Sequence, residues 1–135
     1  MSSIVRYQKF IDAVYTVEIS LPVDEQGQRV GQEIATVDGY TYVSLPDGAT
    51  LPAQPAEITV EPVTLTEALK ADISAASPHV HLINQRVKEM IAQQYAIEDE
   101  IKLIRTAPSE EFDIYNAFVE SCRQWGRDQK ALIGL

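Results

Sequence analysis

The sequence predicts an α+β protein, in which a small N-terminal antiparallel β meander is followed by a C-terminal helical hairpin. Between residues 14 and 20, β-branched and aromatic residues alternate in part with polar ones, which is typical of a half-buried strand. After Pro62 the apolar residues recur every three or four positions, which is typical of amphipathic helices. We therefore expect a β domain over 1–62, with a proline-rich segment at 44–58, and a helical domain over 63–135.

Three strands are expected in the β domain, at 14–20, 29–37 and 40–45. The residues at 24–28, DEQGQ, form a turn between the first two. The dipeptide Asp38-Gly39 favours a tight hairpin between the second and third, because both residue types tolerate positive φ. Prolines in the segment 44–58 remove the donors that a central strand needs, so this segment is expected to be a surface segment or linker that ends in a short strand near 58–60.

Start signals place the first two helices. Thr64 and Glu67 match a capping box ahead of a short helix whose apolar face contains Leu69 and Ile73. Ser77-Pro78 predicts a second helix start, because serine caps and proline suits the first turn. The apolar stripe of that helix contains Ile83, Val87, Met90, Ile91 and Tyr95.

A bend is expected near 94–96, after which Ile97, Ile101 and Ile104 continue the stripe. Pro108 then ends this helix and precedes a final helix over about 109–130. The short connection predicts an antiparallel αα-hairpin. The stripe of the final helix is long and aromatic, and it contains Phe112, Tyr115, Phe118, Val119, Cys122 and Trp125.

Candidate catalytic and metal-ligating residues are few. His79 and His81 are two positions apart and point in different directions on a helix, so they do not chelate one ion there. Cys122 falls on an apolar helix face, where packing explains it. Glu98, Asp99 and Glu100 diverge around a helix and are typical of a solvated first turn. We expect no catalytic residue, no metal and no cofactor; the alternative, an enzyme that acts through Cys122 or His81, has no recognised motif behind it.

The net charge of −9 disfavours nucleic-acid binding, because this field repels phosphates. No apolar run has the length of a membrane span or follows the N-terminus as a secretory signal would, so we expect a chain that stays soluble where it is made. A small-molecule substrate is not expected either, since so short a chain has little room for a pocket. Protein binding is the function that these exclusions leave.

The residues expected to bind protein lie in and after the final helix. Aromatic and arginine side chains are enriched at interface hot spots, and the apolar chain end follows the last basic turn. The candidate binding residues are Tyr115, Phe118, Arg123, Trp125, Leu132, Ile133 and Leu135.

Several segments of the chain resemble one protein family. They are LPDGATLP at 45–52, ASPHVHLINQRVKEMI at 76–91, YAIEDEIKLIR at 95–105 and EFDIYNAFVESCRQWGRDQK at 111–130. In plan the chain is similar to the tail-fibre assembly proteins of tailed bacteriophages, and the match includes Tyr115, Arg123, Trp125 and Arg127. The resemblance covers about residues 40–135.

The resemblance implies a chaperone or attachment role on a tail-fibre or baseplate protein, itself a trimer. It places the protein in the host cytoplasm during assembly, and then either released or retained in the virion tail. The alternative is a small acidic regulatory domain that binds a host protein, with its acidic surface mimicking nucleic acid.

Overall fold

The computed structural model describes residues 3–135, so Met1 and Ser2 lie outside the described residues. An antiparallel sheet comes first and helices follow, which confirms the α+β class. The described strands are β1 Ser3–Tyr7, β2 Gln32–Val37, β3 Tyr40–Leu45 and β4 Glu61–Val63. The described helices are α1 Glu67–Ala76, α2 Pro78–Gln94, α3 Ile97–Arg105 and α4 Glu110–Leu132.

The strands lie in the order β2-β3-β1-β4, so the N-terminal strand occupies the interior of the sheet. β1 pairs with β3 from Ser3 opposite Leu45 onwards, and with β4 on its other side. No strand was predicted here, because the five residues SIVRY are short and Arg6 interrupts their apolar character. Arg6 is accommodated by an ion pair to Glu61 at 3.0 Å and by stacking on the Tyr40 ring.

The hairpin between β2 and β3 turns at the predicted Asp38-Gly39. Both residues have positive φ, 50° and 82°, as a two-residue hairpin turn requires. A register shift between Glu33 and Ala35 interrupts the ladder, and Ile34 and Ala35 both enter the same core.

Both faces of the sheet are covered. One face packs against α1, the start of α2 and the chain end, and this core includes Ile4, Tyr42, Ile73, Val80 and Ile133. The other face is covered by irregular segments, and this core includes Tyr7, Val43, Val17, Ile19 and Ile58.

Two sequence-based expectations about the irregular segments are wrong. Residues 14–20 form no strand, and an isolated bridge joins Phe10 to Thr16 while Val17 and Ile19 pack against the sheet. The segment 44–58 is largely exposed after β3, but Leu51 and Ile58 pack on the same face, and the strand that follows it is β4 rather than 58–60. Apart from Ser44 and Leu45, which belong to β3, and the bridge at Phe10 and Thr16, these segments are buried by apolar contact rather than by strand pairing.

The helix starts follow the sequence signals closely. Thr66, rather than Thr64, caps α1 by accepting from the Leu69 N–H at 3.2 Å. The Ser77 hydroxyl accepts from the Val80 N–H at the start of α2, and the Ser109 hydroxyl does the same for the start of α4. The predicted bend after Gln94 and the stop before Pro108 are both present.

The described chain forms two compact units. The sheet unit contains the residues up to Val80 together with 131–135, and the helical unit contains 81–130. The unit boundary therefore differs from the division expected at residue 62, because α1 and the chain end contribute to a core of the sheet.

Candidate functional site

The helical unit has a thin core. Within 81–130, all of which the structure describes, only Val119, Cys122 and Gly126 are buried. Gly126 allows α4 to approach α2 closely, since a Cβ there would lie 2.8 Å from Val87 Cγ2. The α2 stripe, which includes Val87, is half-buried. The two long helices therefore form a hairpin that buries little apolar surface of its own.

An aromatic cluster joins the connection between α2 and α3 to α4. The Tyr95 ring lies 4.9 Å from the Tyr115 ring, edge to face, and 5.7 Å from the Phe118 ring, while Phe112 is 6.1 Å from Tyr115. The Tyr115 hydroxyl donates to a Glu100 carboxylate oxygen at 3.1 Å. Desolvation first, and then this hydrogen bond, raise the pKa of Tyr115. Tyr115 and Phe118, which were predicted to bind a partner, are half-buried and position α3.

Helix α3 has no buried residue. Ile97, Ile101 and Ile104 are 72%, 46% and 60% exposed, so the prediction that they continue the packed stripe is wrong. Successive helical residues are about 100° apart, which confines these three side chains to one face of roughly 60°. Glu100 and Leu103 lie beside this face and are half-buried. Helix α3 thus contacts the hairpin with one flank and leaves its isoleucines outside.

An open groove of about 680 Å³ runs between α3 and the start of α4. Tyr95, Leu103 and Ile114 form its apolar part, and Ile114 is 60% exposed. Asp99 and Lys102 are among its charged lining residues. We call this feature the α3/α4 groove.

A smaller groove of about 390 Å³ lies between α2 and α3. Its apolar lining includes Ile91, Tyr95 and Ile97, and Lys88 and Glu100 contribute charge. We call it the α2/α3 groove. Tyr95 lines both grooves, so the aromatic cluster lies between them.

Sequence reasoning missed Leu103 and Ile114, which line the α3/α4 groove. Leu103 falls outside the stripe of Ile97, Ile101 and Ile104, and Ile114 falls at the edge of the α4 stripe, about 20° from Trp125 around the helix. The signal that could have indicated Leu103 is an apolar residue away from the isoleucine stripe, because it gives α3 a second apolar side that can pack while the isoleucines stay exposed.

The remaining predicted binding residues of α4 differ in environment. Trp125 is half-buried and Arg123 is exposed. Arg127 donates to Glu120 at 2.6 Å and to Gln124, and this contact lowers the pKa of Glu120. Of these side chains, Arg123 and the exposed part of Trp125 are available to a partner.

The apolar chain end is divided between surface and core. Leu132 is 70% exposed, whereas Ile133 is 6% exposed and belongs to a core of the sheet unit. Leu135 is half-buried against the same core. Ile133 and most of Leu135 are therefore committed to the fold and do not form a free binding surface.

The sheet unit has an exposed apolar loop of its own. The exposed fraction is 55% for Phe10, 47% for Ile11, 95% for Val14 and 47% for Tyr15. The loop is held by Asp12, whose carboxylate accepts from the Val14 and Tyr15 N–H groups, each at 2.8 Å. These side chains are presented on a hydrogen-bonded turn.

Groups that could carry chemistry are dispersed. Among residues 3–135, no set of three or more histidine, cysteine, aspartate or glutamate side chains is arranged to hold a metal ion. Cys122 is 1% exposed and forms no disulfide in the described chain. No helix within the described range has the length and apolar character needed to cross a membrane.

No protein-family model, curated protein or solved structure matches this chain.

Proposed function

We propose that this protein binds another protein through its helical unit and has no catalytic role. The observation that carries the proposal is the imbalance of apolar residues within 81–130. Three residues there are buried, while Leu82, Ile97, Ile101, Ile104 and Ile114 are each at least 46% exposed. Isolated exposed aliphatic residues such as Leu82 are common, but Ile114 lines a groove and Ile97, Ile101 and Ile104 share one helix face, which indicates surfaces that partners cover.

The α3/α4 groove is the proposed docking surface. It offers an apolar floor at Tyr95, Leu103 and Ile114 with charged residues beside it, which is the arrangement that accepts an amphipathic segment of a partner. The aromatic cluster below positions α3 before binding, so little ordering cost remains for this side of the interface.

The proposed partner is a tail-fibre or baseplate subunit of a tailed bacteriophage, a trimer on which the protein acts as an assembly chaperone or a retained component. This identity is supported by the resemblance of the helical half to tail-fibre assembly proteins. The net charge of −9 favours a protein partner over nucleic acid.

Co-expression with the fibre and baseplate subunits of the same phage, followed by size-exclusion chromatography, tests the proposal. We expect a complex that Ile114→Glu weakens by about a hundredfold, because a charge would enter the apolar groove. Leu82→Glu is the matched control, since Leu82 is 50% exposed in the same unit and does not line the groove.

Two outcomes would contradict parts of the proposal. If no complex forms and the fibre stays soluble without this protein, the assembly role is wrong. If Val14→Glu abolishes the complex while Ile114→Glu does not, the partner binds the loop of the sheet unit instead of the groove. Mass spectrometry of purified virions separates a retained component, which is present in the particle, from a chaperone, which is not.

A further inference from the structure

We propose that two copies of this chain associate through an antiparallel contact between their α3 helices. The contact would cover the face formed by Ile97, Ile101 and Ile104, which the chain leaves largely exposed. In an antiparallel pair related by a two-fold axis near Ile101, Ile97 of each copy lies opposite Ile104 of the other.

The charges beside this face are self-complementary. Glu98 and Arg105 are seven positions apart, so they project from the same flank of α3, within roughly 20° of each other. An antiparallel pair places like flanks together, which brings each Glu98 opposite the Arg105 of the other copy. Both side chains are exposed, and neither has an ion-pair partner among residues 3–135. A second copy therefore supplies a partner for each of the four charges.

The α2/α3 groove extends the same surface. It is lined by Ile91, Tyr95 and Ile97, at the end of α3 where the antiparallel register places Ile104 of the other copy. An isoleucine side chain is apolar and small enough for this groove. The two-fold axis repeats the insertion, so each copy both donates and receives an isoleucine.

The opposite flank of α3 does not oppose this arrangement strongly. Glu100 lies there, and a two-fold axis brings the like charges of the two copies to the same flank, but the hydrogen bond from the Tyr115 hydroxyl holds each half-buried carboxylate toward α4. The contact is therefore centred on the isoleucines, with the Glu98–Arg105 pairs on one flank and the α2/α3 groove on the other.

The contact leaves the α3/α4 groove open. Asp99, Lys102 and Leu103, which line that groove, lie on the side of α3 away from Ile97 and Ile104. The dimer and the proposed partner complex thus use different surfaces. The dimer contact is small, so we expect a monomer–dimer equilibrium with a dissociation constant of roughly 0.1 mM rather than an obligate dimer.

Charge reversal tests the register directly. The Glu98→Arg variant carries positive charges at both 98 and 105, and the Arg105→Glu variant carries negative charges at both. In each variant alone, like charges would therefore face each other across the dimer contact. We expect sedimentation velocity up to about 1 mM to show that each variant dimerises about tenfold more weakly than wild type. An equimolar mixture should recover wild-type association, because all four charges are again paired and the total charge equals that of the wild-type dimer.

A second pair of variants tests the apolar part. Ile101→Glu should abolish the dimer, whereas Leu82→Glu, at a position of similar exposure on α2, should leave it intact. Circular dichroism confirms that each variant is folded. A wild-type chain that is monomeric at 1 mM overturns the proposal, as does a mixture of the two charge variants that associates no better than either alone. A measurement of fibre binding by Ile101→Glu distinguishes a failure of the dimer proposal from a failure of the proposed function.

Discussion

Gly126 lies inside α4 at the closest approach of that helix to α2. A glycine in a helix interior is about 1 kcal/mol less favourable than alanine, so helix propensity alone favours Gly126→Ala. A Cβ at this position would lie 2.8 Å from Val87 Cγ2 and 3.8 Å from Ile83 Cγ2. The same substitution therefore gains helix stability and creates a steric overlap.

The overlap decides the expected sign. Val87 is β-branched and has little rotamer freedom on a helix, so its methyl group cannot turn away easily. Overpacking of this kind costs about 1–3 kcal/mol. After the propensity gain, we expect Gly126→Ala to lower the free energy of unfolding by about 1 kcal/mol.

A double-mutant cycle with Val87→Ala separates the two effects. Val87→Ala removes the methyl groups that the new Cβ would meet, so in that background Gly126→Ala should raise the free energy of unfolding by about 1 kcal/mol. Asn116→Ala, at an exposed position of α4, gives the propensity gain alone. Urea unfolding followed by the fluorescence of Trp125, the single tryptophan, measures all variants within the helical unit.

A Gly126→Ala variant that is stabilised equally in both backgrounds would contradict the expected steric overlap. The helices would then be farther apart at Gly126 than the 2.8 Å distance indicates. A change of sign between backgrounds confirms the close approach.

Two further predictions concern aromatic residues. Tyr7 is 0% exposed and donates to Glu33 at 2.5 Å, so Tyr7→Phe should cost about 1.5–3 kcal/mol at neutral pH in urea unfolding. Burial, followed by the Glu33 hydrogen bond, raises the pKa of Tyr7. The contribution of Tyr7 to the free energy of unfolding is therefore fully present below about pH 10 and is lost as pH rises further, by up to about 1.4 kcal/mol per pH unit. An unchanged difference in unfolding free energy between Tyr7→Phe and wild type above pH 10 would contradict this. Trp125 is half-buried, so Trp125→Ala should lower the free energy of unfolding by about 2 kcal/mol, less than the loss of a fully buried ring would. A melting temperature equal to that of wild type would mean that the ring packs against nothing in its own chain.

Local signals in the sequence were sufficient for several of the starts, stops and turns, although Thr66 rather than Thr64 caps α1. The Asp38-Gly39 hairpin, the serine cap at Ser77 and the stop before Pro108 all lie where the sequence predicts them. Each depends on backbone geometry within a few residues, so no distant part of the chain is needed to specify it.

The candidate site was predicted only in part. A periodic pattern identifies an apolar helix face, but it does not indicate whether another segment of the chain or solvent covers that face. The period of Ile97, Ile101 and Ile104 is that of a packed stripe, yet these side chains are exposed. Tyr115 and Phe118 were expected at a binding surface, yet they pack around Tyr95.

The amino-acid sequence alone predicts an acidic α+β chain with a β half, a helical half and the local boundaries of most elements. The position of β1 inside the sheet, the packing of Val17 and Ile19 without a strand, and the return of Ile133 to the core that contains Ile4 are visible only in the folded chain. These outcomes depend on contacts between residues that are far apart in the chain. The free energy of such contacts comes from burying apolar surface, and local sequence does not specify which segments bury each other. The same physics leaves the isoleucines of α3 largely exposed, since within the helical unit, residues 81–130, no other segment packs over that face.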